Sequence, residues 1–156
     1  MGLQDFFDYD GTATGEDELD FLRAFDEPQW NALLAYTTTE RFEVGQVVMA
    51  QGSMERALYI VGDGELEVLV GSGAKRQRIA RCDRGDVVGE QVFLDGKPRS
   101  AEGRALRDTH VVKLGIESFE SFAAQYPDLA RVFLFDLARI VSLRLRETTA
   151  LLIARR

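Results

Sequence analysis

Residues 85–101 run Gly85-Asp86-Val87-Val88-Gly89-Glu90-Gln91-Val92-Phe93-Leu94-Asp95-Gly96-Lys97-Pro98-Arg99-Ser100-Ala101. A valine pair ends in a glycine, which admits an unusual backbone angle or the close approach of a ligand. From Glu90 to Leu94 the chain suits one short helical turn, whose free N–H groups and positive dipole end favour phosphate. Gly96 and Pro98 then reverse the chain and return Arg99 to the opening of that turn. A guanidinium there can fork onto two phosphate oxygens. Glu90 is misplaced beside a bare anion, but a carboxylate accepts hydrogen bonds from hydroxyls, so a sugar is its natural partner. An acid for a ribose and an arginine for a phosphate, both expected to be open to solvent when the pocket is empty, describe a nucleotide pocket.

Working outward, residues 41–114 break into short segments rich in Val, Ile, Leu and Tyr, at 42–49, 57–61, 65–70, 77–80, 86–88, 100–105 and 109–114. Glycines punctuate them, and Glu65-Leu66-Glu67-Val68-Leu69-Val70 alternates as a half-buried strand does. Many short strands with frequent turn residues predict a sandwich or barrel. Upstream, Asp26 with Gln29 three residues later predicts a capping box opening a short helix, with Trp30, Leu33 and Leu34 on its apolar face. Residues 1–18 are acidic and polar apart from Phe6, Phe7 and Tyr9, and are expected to form a flexible or loosely docked arm. The expected organisation is an arm at 1–25 and one domain at 26–156, with its β part at about 41–115 and helices at about 117–153.

Beyond Gly115 the period becomes helical, with one helix at 117–126, a break at Pro127 and a longer helix at 128–153. Leu129, Val132, Leu137, Val141 and Leu145 are expected to cover the β part. Phe133, Ile140 and Leu151, with Arg144 and Thr148 between them, make a stripe expected to meet a second chain. The alternative is a single thick face packed wholly within the monomer. A homodimer through this helix is the favoured expectation.

Composition narrows the functions. With 156 residues, two full cores do not fit. The net charge of −7 opposes a dedicated nucleic-acid binder, so any bound anion must be held by local donors. One cysteine, Cys82, and one histidine, His110, exclude an intrachain disulfide and thiolate or imidazole metal sites; both are read as ordinary strand residues. No apolar run approaches the ~18 residues of a membrane span, and residues 1–10 lack the pattern of a signal peptide. A cytoplasmic protein, without cofactor, metal or membrane, is expected.

With these residues in place, the chain from about 26 to 153 resembles the cyclic nucleotide-binding family, which includes the bacterial catabolite activator protein and the regulatory subunits of cAMP-dependent kinase. The resemblance rests on Gly89-Glu90 with Arg99-Ser100-Ala101, and on the earlier run of Phe42, Gly45, Gly52, Ala57-Leu58-Tyr59-Ile60-Val61 and Gly64. It implies a mainly β fold with flanking helices, an antiparallel double-stranded β-helix or jelly-roll-like barrel, and a ligand that is cAMP or cGMP. It implies that Glu90 holds the ribose 2′-hydroxyl and Arg99 the cyclic phosphate. Ser100 and the backbone near Gln91 and Val92 would complete the phosphate contacts. It further implies Arg144 near Glu90, Thr148 at the adenine edge, and Thr149 reaching the partner subunit's ligand.

The sequence departs from the family pattern at three places. Gln91-Val92 stands where Leu and then Ala or Gly is usual, Ser53 replaces an acidic residue, and Gly103 interrupts a strand and should loosen it. A cyclic nucleotide receptor signalling to an unidentified effector protein is the leading expectation, without the helix-turn-helix of the catabolite activator. The alternative is a scaffold whose pocket is degenerate. Catalysis is disfavoured, because phosphodiester hydrolysis needs a metal cage or an acid–base pair aimed at phosphorus.

Overall fold

The computed structural model describes residues 20–155, so the arm expected at 1–18 lies outside the described residues. Within them, eight strands run β1 Thr38–Phe42, β2 Val47–Met49, β3 Ala57–Val61, β4 Glu65–Val70, β5 Gln77–Asp83, β6 Val87–Val88, β7 Glu102–Ala105 and β8 Thr109–Gly115. They pair antiparallel in two four-stranded sheets, β1-β8-β3-β6 and β2-β7-β4-β5. Most successive strands change sheet, which is the jelly-roll-like arrangement expected. The helices are α1 Glu27–Leu34, α2 Glu90–Asp95, α3 Ile116–Gln125 and α4 Pro127–Ala154.

Local signals explain most of these boundaries. The continuous apolar run of β3 is buried along its whole length because it has cover on both sides. Leu58 and Ile60 face the helices, while Tyr59 and Val61 face the other sheet. At α1, Asp26 Oδ1 accepts from the Gln29 backbone N–H at 2.9 Å, and Gln29 Oε1 accepts from Asp26 N–H at 3.0 Å. That is the reciprocal cap read from the sequence. One expectation fails: the segment at 42–49 is not a single strand. A turn closed by Gln46 N–H on Glu43 O separates β1 from β2. The polar Thr38-Thr39-Glu40-Arg41, which carries no apolar alternation, pairs with β8 as the edge of its sheet.

Rings fill the space between the first sheet and the helices. Phe133 of α4 lies 4.9 Å from Phe119 of α3, 5.1 Å from Phe21 and 6.2 Å from Phe93 of α2, centroid to centroid. Phe21, Leu22 and Phe25 belong to this core, so the domain begins before residue 26. The Asp136 carboxylate accepts the Leu22 N–H at 2.7 Å, and Arg139 donates to the Asp20 carbonyl at 2.8 Å.

On α4 the buried stripe is Ala130, Phe133, Leu137 and Ile140, one face at helical spacing. Phe133 and Ile140, expected on the face toward a second chain, are therefore interior residues. Leu145, expected against the β part, is 65% exposed, and Phe135 is 78% exposed. Among the described residues, no helix is long and apolar enough to cross a membrane.

Candidate ligand-binding site

The β6–α2 junction turns on Gly89, whose φ of +79° is open to glycine and costly for other residues. A Cβ there would lie 2.5 Å from Arg99 Nη1 and 3.1 Å from the Ala57 carbonyl, so nothing larger fits. The chain reversal after α2 thus does return Arg99 to the start of that helix. At the other end of α2, Arg56 donates from Nε to the Phe93 carbonyl at 2.9 Å and from Nη2 to the Leu94 carbonyl at 3.1 Å. Phe93 anchors the same helix in the ring cluster.

Arg99 is not open to solvent as the sequence reading expected; it is 5% exposed. Its backbone is clasped by the β2–β3 loop, with Gly52 N–H on Arg99 O and Arg99 N–H on Ser53 O, each at 2.8 Å. Its Nη2 donates to the carbonyls of Ala57 at 2.7 Å and Glu55 at 3.0 Å, and its Nη1 approaches Met49 Sδ at 3.5 Å. The guanidinium also lies over the Tyr59 ring, 5.6 Å from its centroid. Burial lowers its pKa, opposed by Tyr59, Glu55 and Glu90.

Glu90 is also partnered. Its Oε2 lies 2.9 Å from Arg144 Nη1, with the glutamate side chain 12% exposed, and Arg144 Nη2 donates to the Val87 carbonyl at 2.6 Å. Burial lowers the Arg144 pKa, but the acidic groups around it, Glu90 foremost, outweigh this and the net shift is upward. Asp86, next to this pair, is pushed up to about 7. Burial is the main cause; the charges of Asp83 and Asp20 add to it, while the Asp83 N–H and Arg144 oppose it. Burial likewise pushes the Cys82 thiol up to about 12, so it is a neutral strand residue.

These groups meet at one cavity of about 690 Å³, bounded by β4 and β5, by α2 and by the second half of α4. Of the residues expected at the site, Gly89, Glu90, Gln91, Val92, Arg99, Ser100, Ala101, Arg144 and Thr148 line it, and Thr149 does not. Thr149 is exposed on α4 with its hydroxyl on the Leu145 carbonyl at 2.9 Å; the Thr148 hydroxyl bonds the Arg144 carbonyl at 3.0 Å. Ser100 Oγ donates to Gln91 Oε1 at 2.7 Å.

Sequence reasoning missed Asp86 and Met49 as lining residues. Met49 was legible only through Gly103, which was expected to loosen its strand. A Cβ on Gly103 would lie 2.9 Å from Met49 Cγ, so the missing side chain makes room for the thioether that also abuts Arg99. Ile79, Leu151 and Leu152 give the far end of the cavity an apolar lining.

Comparison with known proteins returns the same theme. The family model described as a cyclic nucleotide-binding domain matches residues 39–126. The chain is 29% identical over 115 residues to the cyclic AMP receptor protein of Thermus thermophilus, covering 73% of this chain and 51% of that protein. It is 30% identical over 104 residues to a lysophospholipase of Aspergillus terreus, covering 66% of this chain and 6% of that protein. The chain therefore spans about half of one such relative and a small part of the other. A crystal structure of a cyclic nucleotide-binding domain from Methylobacillus flagellatus superposes with a TM-score of 0.79 at 23% identity, over 90% of this chain and 79% of that one.

Proposed function

This chain belongs to the cyclic nucleotide-binding domain family, and on that premise we propose that it is a receptor domain for a purine nucleoside cyclic phosphate, cAMP ahead of cGMP. Glu90 receives the ribose 2′-hydroxyl. Arg99, the hydrogen-bonded Ser100 and Gln91 pair, and the backbone of Gln91 and Val92 receive the phosphate, with Gly89 and Ala101 leaving it room. Arg144 orients Glu90, and Thr148 meets the base edge. The exposed stripe of α4 faces a second copy, bringing Thr149 to the neighbouring site, and the bound state passes to an effector protein in the cytoplasm. Binding without turnover fits a cavity in which Glu90 is paired with Arg144 and Arg99 is held by two backbone carbonyls. No cofactor or metal is invoked.

The convergence of Glu90, Arg99 and Gly89 on one cavity carries this proposal. One observation favours a second reading, a scaffold that needs no ligand: Arg99 and Glu90 already have protein partners.

Calorimetry separates the two. The wild-type chain should bind cAMP more tightly than cGMP, and 2′-deoxy-cAMP more weakly than cAMP by the worth of one charge-assisted hydrogen bond, roughly tenfold or more. Glu90→Gln should erase most of the difference between ribose and deoxyribose ligands. Absence of binding at millimolar cyclic nucleotide would hand the molecule to the scaffold reading.

A further inference from the structure

The donors an anion would meet in this cavity are fewer than the residue names suggest. Arg99 Nη2 is spent on two carbonyls, and Nη1 is turned toward Met49. Ser100 has one hydroxyl hydrogen, and it is donated to Gln91 Oε1 at 2.7 Å. What Ser100 still offers is lone pairs, which an anion repels. Gln91 is in the opposite state. Its oxygen accepts from Ser100, which leaves the two hydrogens of Nε2 to donate elsewhere. Nε2 has no partner among the described residues, and both residues line the cavity together with Glu90 and Arg99.

We propose that the Gln91 side chain, held in orientation by Ser100, is a phosphate-facing donor that distinguishes the two exocyclic oxygens of a cyclic phosphate. The pair exchanges one hydroxyl hydrogen for an oriented amide with two. This rests on the receptor function above and adds to it a side-chain contact that the backbone roles of Gln91 and Val92 do not include. An amide donor fixed on one side of the phosphate reads one oxygen and ignores the other, so stereochemistry at phosphorus is the natural probe.

The test titrates the full chain with cAMP and with the two diastereomeric cyclic phosphorothioates, in which sulfur replaces one exocyclic oxygen or the other. Gln91→Leu should weaken cAMP binding roughly tenfold, one hydrogen bond to a charged acceptor, and bring the two phosphorothioates closer in affinity. Gln91→Glu should weaken it further. Ser100→Ala should give a smaller loss that adds nothing in the Gln91→Leu background, because the two act as one unit. Both side chains are exposed, and unchanged ligand-free melting confirms the fold of each variant. If Gln91→Leu keeps both the affinity and the diastereomer ratio, Gln91 does not face the phosphate. If Ser100→Ala weakens binding equally with and without Gln91, the serine hydroxyl swings to the ligand by itself and the inference fails while the receptor function stands. A wild type that binds no cyclic nucleotide overturns both.

Discussion

Two regions of this molecule are built on opposite terms. Between the first sheet and the helices, Phe21, Phe93, Phe119, Phe122 and Phe133 meet edge to face or tilted, and among the described residues no fully buried charged side chain belongs to the cluster. At the mouth of the space between the sheets, Arg99, Glu90, Arg144 and Asp86 crowd against Met49, Val88 and Cys82. The first region is stabilised by removing apolar surface from water. The second holds charges that burial disfavours: carbonyls surround Arg99, Glu90 and Arg144 pair with each other, and Asp86 is pushed toward its protonated form. Phe93 joins the two, since its ring belongs to the apolar cluster while its helix carries Glu90. The charged end keeps its geometry because the aromatic end is rigid.

Breaking the aromatic end should produce the largest effect. Phe133→Ala removes a fully buried ring touching three others and is expected to cost about 3–5 kcal/mol, a large share of the ~5–15 kcal/mol of a typical domain. Urea unfolding measures this; a loss below about 1 kcal/mol would show that the cluster does not bear the fold.

The charged end should respond to pH where the aromatic end does not. Asp86 has a folded-state pKa of about 7, above that of an unfolded aspartate. The folded protein therefore holds a proton the unfolded chain has lost, and the stability linked to it is fully present below about pH 4 and lost as pH rises through about 7. Asp86→Asn should flatten that part of the stability profile while keeping an acceptor for the Asp83 N–H. Parallel profiles for variant and wild type would remove Asp86 from the account.

The outer stripe of α4 belongs to neither region, and its effect on the monomer should be smallest. Leu145→Glu is expected to change monomer stability by no more than about 0.5 kcal/mol. If this face meets a second copy, sedimentation should show the wild type at twice the chain mass and the variant at the chain mass. A wild-type monomer at micromolar concentrations would withdraw the dimer.

What could be read in advance follows from which signals are local. The bounds of β3 and β4, the Asp26 cap and the turn from Gly89 into α2 are set by neighbouring residues, and the structure has them where the sequence put them. The surroundings of Arg99 were not legible because its acceptors are backbone carbonyls of Glu55 and Ala57, which any residue would supply. An arginine that the motif assigns to a phosphate thus has its other partners written nowhere in the residue pattern. The buried face of α4 was misassigned for a different reason. Apolar residues lie on nearly all sides of that helix, so periodicity alone does not choose between Ile140 and Leu145.

The length of α4 has a mechanical consequence. Its first half is gripped by the rings, Arg144 is tied to Glu90 and to the Val87 carbonyl, and from Leu145 onward every described residue is exposed. Ala154 lies ten residue steps beyond Arg144, roughly 15 Å at the helical rise. Such a helix is a pointer pivoted at its last anchored arginine. Any change of angle at the pivot is magnified along the shaft, so a rearrangement of a fraction of an ångström beside Glu90 would become a visible displacement at the tip.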